Sequence, residues 1–148
     1  MAVLAMDFVL HPQLAADCFE VAELPLSRVL LLNDARYPWL VLVPRQAGAV
    51  ELTDLDPAAQ QQLLLEMNAA LTWVAAQPEI AKTNIGALGN LVPQLHVHVV
   101  GRHSADPAWP GPVWGHSAAE SYVPAVAQQR IAVARSMLLQ LLAPASAG

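Results

Sequence analysis

Only one cysteine, Cys18, and one lysine, Lys82, occur among the 148 residues, and charged side chains make up just 13% of them. A lone cysteine cannot close an internal disulfide or supply a cysteine-rich metal site, so the fold must rest on its core, and a reducing compartment fits. Cys18 itself reads most simply as a small buried hydrophobe. Seven basic against twelve acidic residues give a net charge of −5. That balance excludes a basic surface able to follow a nucleic-acid polymer. A single phosphate group is still allowed, because backbone amides and a few polar side chains can hold one without such a surface. No uninterrupted apolar run approaches the roughly 20 residues of a membrane span. The stretch Met1–Met6 is apolar but lacks a basic flank and is followed by Asp7, unlike a secretory signal. A cytoplasmic protein without membrane contact is expected. No internal repeat or low-complexity block is visible, so residues 1–148 are read as one domain.

Apolar residues, by contrast, reach 55% and allow a sizeable core. Residues Asp7 to Cys18 predict a short helix interrupted or started near Pro12, with His11 on the surface. Two strand-like runs follow, Phe19–Ala22 and Ser27–Leu32, then the turn Asn33-Asp34-Ala35-Arg36. Trp39–Val43, bounded by Pro38 and Pro44, has the continuous apolar character of a strand buried on both faces. Asp56 and Pro57 mark a helix start whose pattern runs on towards Ala76. Leu63, Leu64, Met67, Ala70, Leu71 and Val74 form its apolar stripe, while Gln60, Gln61, Glu66 and Asn68 are expected to face water. Ile80–Leu88 predicts the next strand. The final helix, Pro124 to Leu142, carries Ala127, Ile131, Ala134, Leu138 and Leu141 on one stripe. Val133, Met137 and Leu139 add apolar surface off that stripe, which points to a homodimer partner. The tail from Ala145 is expected to fray.

The chemistry concentrates in Gln94-Leu95-His96-Val97-His98-Val99-Val100, between Pro93 and Gly101-Arg102. Alternation along a strand puts Gln94, His96 and His98 on one face and Leu95, Val97 and Val99 on the other. Imidazole titrates near neutral pH, so two on one face can serve as nucleophile, proton carrier or metal ligand. After Arg102, residues 103–116 hold three prolines and form a stiff loop. Trp109 and Trp114 in that loop either anchor it to the core or wall a pocket.

This motif resembles that of the histidine triad (HIT) hydrolases and transferases, whose His-x-His-x-His run ends in two apolar residues. The resemblance covers Phe19 to Arg102 loosely and residues 89–102 specifically. It implies an α+β, HIT-like fold, an antiparallel sheet with helices packed on it, and no cofactor. The family's attacking histidine falls on His96, which would form a covalent nucleotidyl-histidine. Its phosphate-contacting last histidine falls on His98, and its first histidine has become Gln94, an amide that cannot titrate. A neutral imidazole attacks only if its other nitrogen keeps the proton, which a backbone carbonyl on a neighbouring strand could ensure. The resemblance also implies a sugar contact at Asn33 or Asp34, both of which are turn formers in any case. A phosphate contact is implied at Asn90, with Leu91 replacing the family's hydroxyl. The substrate would be a small nucleotide, an adenosine phosphoramidate or a dinucleoside polyphosphate. Two alternatives stand beside this one. One is a nucleotide-binding module of the same fold with little turnover; the other is a zinc site in which His96 and His98 gain a ligand such as His103 or Asp106.

Overall fold

Proline opens every α-helix in the computed structural model, which describes residues 8–144; Met1–Met6 and the tail from Ala145 lie outside that range. The helices are α1 (Pro12–Asp17), α2 (Pro57–Ala75) and α3 (Pro124–Leu141). Proline suits a first helical position because its missing N–H has no intrahelical partner there. Asp56 caps α2 by accepting from the Ala59 N–H at 2.8 Å. His11 is half-buried rather than free on the surface: its Nδ1 caps α1 by accepting from the Gln13 N–H at 3.0 Å.

Five strands, β1 (Cys18–Glu23), β2 (Ser27–Leu32), β3 (Trp39–Pro44), β4 (Lys82–Gly86) and β5 (Val97–Arg102), form one antiparallel sheet in the order β1-β2-β3-β5-β4. With helices packed on it, this is the expected α+β architecture. The strand at Lys82–Gly86 is shorter than the Ile80–Leu88 pattern predicts. The motif strand starts at Val97 rather than at Gln94. Pairing with β3 ends at Leu42 opposite Val97, and the Leu95 N–H turns instead to the Ala49 carbonyl, 2.9 Å away.

Alternation divides the apolar residues between two faces. Val29 and Leu31 of β2, Leu40 and Leu42 of β3, and Val97 and Val99 of β5 pack with Leu95 against α2 and α3. On the opposite face, Leu30, Trp39, Val41, Val43 and Val100 pack with Leu14 of α1 and with Ala108 and Val113 of the C-terminal loop. β3 is buried along its whole length, as its unbroken apolar run predicts.

Two helical expectations fail in an informative way. On α2, Leu64 is exposed while Glu66, expected in water, is buried against the sheet. Its carboxylate accepts from the Leu26 and Ser27 N–H groups, both at 2.8 Å, and from Gln62 Nε2 at 2.9 Å. Those amides belong to the last residue of the β1–β2 turn and the first residue of β2, and the carboxylate satisfies both, so a buried charge is stable there. On α3, Leu141 is exposed where the stripe meets the helix end, and Met137 lies partly buried against the core. Val133 and Leu139 are exposed, as expected. Glu66→Ala should cost about 3 kcal/mol in urea denaturation, because two buried amides lose a charged acceptor. A loss below about 0.5 kcal/mol, the level of an ordinary surface change, would contradict that role.

Candidate functional site

The two histidines of the motif meet at the start of β5. His96 is buried just ahead of the strand and His98 lies one full repeat on, with ring centroids 4.9 Å apart at 70°. Both border a cavity of about 660 Å³ on the sheet face opposite α2 and α3. Leu14 and Cys18 form one wall, Gly89–Val92 a second, and Val113 and Trp114 a third. Gly89 takes φ +66° in the second wall, a conformation glycine adopts without a Cβ penalty.

Each imidazole has a different partner at Nδ1. His96 Nδ1 lies 2.7 Å from the Gln94 backbone carbonyl. A carbonyl only accepts, so in the neutral ring Nδ1 carries the proton and Nε2 the lone pair. The carbonyl expected from a neighbouring strand thus comes from the motif itself, two residues upstream. His98 Nδ1 instead accepts from the Trp39 indole N–H at 3.0 Å. Burial, and then the adjacent His96, push the His98 pKa down from 6.5 to about 4. His98 is therefore uncharged at neutral pH.

Gln94, unlike the two histidines, does not line the cavity. Its amide turns to the N-terminal segment, with Oε1 accepting from the His11 N–H at 2.9 Å and Nε2 donating to the Val9 carbonyl at 2.8 Å. The same residue thus fastens the chain leading into α1 and supplies the carbonyl that orients His96.

The other sequence-derived candidates separate. Asp34 borders the cavity but is buried, with both oxygens engaged by Arg36: Nε to Oδ1 and Nη2 to Oδ2, each 2.9 Å. Asn33 is not among the lining residues, and its Oδ1 accepts from the Tyr122 N–H at 2.8 Å. Asn90 lines the cavity, and the neighbouring Leu91 is 96% exposed at its mouth. The candidate third zinc ligands are engaged in the loop itself, Asp106 through both oxygens and His103 through Nδ1 alone. Asp106 binds Arg102 through both oxygens at 2.8 and 3.0 Å, and His103 Nδ1 accepts from the Ala105 N–H at 3.2 Å. Among the described residues no group of three or more His, Cys, Asp or Glu side chains could hold a metal ion.

Arg102 and Asp106 build the loop that carries Trp114. Arg102 also donates to Asn84 and to the Gly111 carbonyl, each at 2.8 Å, and its guanidinium lies 5.7 Å from the Trp109 ring centre. Burial would raise the Asp106 carboxyl, but hydrogen bonds from Arg102 and from the loop's backbone amides hold it below its ordinary value. The tryptophans therefore divide their roles: Trp109 covers this ion pair, and Trp114 walls the cavity 5.9 Å from the His98 ring. Gly86, opposite His98 on β4, makes room for Trp114, since a Cβ there would lie 2.9 Å from its ring. Sequence reasoning missed Trp39 and Arg36. Trp39 becomes legible only with the β3–β5 register, which sets Val41 opposite His98 and Trp39 opposite Val100 on the same face.

Residues 13–105 match the HIT domain family. The whole structure is similar to crystal structures of three histidine triad proteins. One from Bradyrhizobium japonicum is 42% identical, with TM-score 0.84 over 93% of this chain and 99% of that one. One from Sinorhizobium meliloti is 38% identical, with TM-score 0.82 over the same shares. One from Marinobacter aquaeolei is 42% identical, with TM-score 0.80 over 91% of this chain and 96% of that one. No curated protein matches the chain in sequence.

The depressed His98 value makes a pH prediction. Between about 4 and 6.5 the unfolded chain binds the proton that folded His98 refuses, so its contribution is complete above 6.5 and lost as pH falls towards 4. The stability difference between wild type and His98→Asn, read by urea denaturation, should shrink by about 3 kcal/mol from pH 7 to pH 4. A difference independent of pH would contradict a buried neutral His98.

Proposed function

The chain belongs to the histidine triad family, and from that premise we propose that it is a nucleotide hydrolase or nucleotidyl transferase working through His96. The observation that carries this reading is the His96 Nδ1 contact with the Gln94 carbonyl, which leaves Nε2 as a bare nucleophile beside the cavity. In the proposed reaction Nε2 forms a bond to phosphorus and the bond to the leaving nitrogen breaks, the amine taking a proton from solvent. Water then attacks the phosphorus, the Nε2–P bond breaks, and a nucleoside monophosphate and a proton are released. His98 donates to a non-bridging phosphate oxygen, and Asn90 adds an amide at the cavity wall. Gln94 takes part through its carbonyl and as an anchor for the N-terminal segment, since its amide is already spent.

Charge supports a phosphoramidate over a dinucleoside polyphosphate. Among the described lining residues the only guanidinium is Arg36, forked onto Asp34, and His98 is neutral above its value of about 4. A chain of phosphates would meet no unspent cation there, whereas one phosphoryl group needs only neutral donors. Of the two sugar-contact candidates, Asp34 is the one that borders the cavity, so the ribose falls to the Asp34–Arg36 pair. Leu88, Leu91, Val92 and Trp114 offer apolar surface to the base or the leaving group.

A binding module with little turnover is the second reading, favoured by the exposed Leu91 where the family carries a hydroxyl. We further propose that the protein is cytoplasmic and that a second copy covers Val133 and Leu139 of α3. No helix among the described residues is long and apolar enough to cross a membrane.

Steady-state hydrolysis of an adenosine phosphoramidate separates the two readings. Turnover is expected in wild type, exceeding that of a dinucleoside polyphosphate, and falling about 10³-fold or more in His96→Ala. Tight nucleotide binding without turnover in wild type would favour the module.

A further inference from the structure

Indole is a donor only, and its N–H cannot be turned into an acceptor by rotation or by titration. We propose that Trp39 is a positioning residue that sets the proton on His98: by donating to Nδ1 it confines the neutral ring to the Nε2–H tautomer. This deepens the hydrolase reading, on which its consequence for catalysis rests. Two geometric facts carry it. The Trp39 Nε1 to His98 Nδ1 distance is 3.0 Å, and Trp39 is only 6% exposed. Its ring is also gripped edge-on by three others: Tyr37 at 6.0 Å, His98 at 5.7 Å and Trp114 at 6.3 Å between centroids. The indole therefore has no room to swing away and release Nδ1.

The consequence is a pair of histidines held in opposite tautomers. In their neutral forms, an acceptor-only carbonyl fixes His96 as Nδ1–H with a bare Nε2, and a donor-only indole fixes His98 as Nε2–H with a filled Nδ1. One ring is prepared to attack and the other to donate, with neither needing to exchange protons first. The indole also opposes the imidazolium, because a second proton on Nδ1 would point at the indole N–H. Burial and the His96 ring act in the same direction on His98. Other titratable groups border the same cavity. Asp17 and Cys18 come from the α1–β1 wall, and Asp34 and Arg36 from the turn after β2. Asp34 and Arg36 neutralise each other, and burial pushes the Cys18 thiol up to about 12, so it carries no charge. Asp17 alone favours a cation. From β3 and the C-terminal loop, Val41, Val113 and Trp114 bring no charge.

The test is nitrogen-15 NMR of the histidine side chains in the full-length protein, with the His98 signals identified by their loss in His98→Asn. In wild type the proton should reside on His98 Nε2 through neutral pH. In Trp39→Phe, which keeps an aromatic ring but removes the donor, the ring should become a mixture of tautomers. Its titration midpoint should rise by about one unit, the scale of one neutral hydrogen bond. Turnover of an adenosine phosphoramidate should fall about 10-fold in kcat with KM changed less than about twofold. A wild-type His98 protonated on Nδ1 would overturn the proposal even if the variant fails to fold. So would a folded Trp39→Phe whose His98 tautomer and midpoint match wild type. A fixed Nε2–H tautomer in a wild-type protein that turns over no nucleotide would uphold the Trp39 assignment and contradict the hydrolase reading instead.

Discussion

The pairing of β3 with β5, which sets Val41 opposite His98 and Trp39 opposite Val100, is the constraint on which the site depends. Because side chains alternate along a strand, a slip of one residue would send His98 into the helix-covered core and bring Val97 or Val99 to the cavity. The register is held by what each face buries. Leu40, Leu42, Val97 and Val99 lock one side against α2 and α3, while Val41, Val43 and Val100 lock the other against α1 and the C-terminal loop. A core that forbids slippage therefore also fixes the Trp39–His98 contact.

Two polar arrangements outside the sheet complete the cavity. Gln94 pairs with the backbone at Val9 and His11, tying the entry to α1 to the segment just before β5. Arg102, at the other end of β5, pairs with Asp106 and fastens the loop bearing Trp114. Both ends of the motif thus reach out to bind a wall of the cavity. A buried pair such as Arg102 and Asp106 is costly to break, since either partner alone is an uncompensated charge. That cost keeps the loop in place without a disulfide.

What the sequence discloses here follows from the range of each interaction. Ser27–Leu32, the Asp56-Pro57 helix start and the apolar Trp39 strand are legible because alternation and capping act within a few residues. The grouping of His96 with His98 has the same local origin, and the family resemblance adds the fold. The helix pattern places Glu66 in water because two of its three partners, the Leu26 and Ser27 amides, lie about 40 residues away, outside that pattern. The motif strand was expected to begin at Gln94 because alternation cannot reveal where a neighbour stops pairing. Trp39 and Arg36 escaped notice for a related reason. Trp39 matters through a cross-strand diagonal, and Arg36 through a fork onto Asp34 within its own turn whose place beside the cavity only the fold reveals.

The central claim is that His96 Nε2 is the nucleophile. Intact-protein mass spectrometry after brief incubation with an adenosine phosphoramidate, quenched without acid because the P–N bond to histidine is acid-labile, tests it most directly. The account predicts a nucleotidyl mass increment on the wild-type protein and none on His96→Ala. An increment that persists in His96→Ala, or product formation by wild type that survives this substitution, would contradict it.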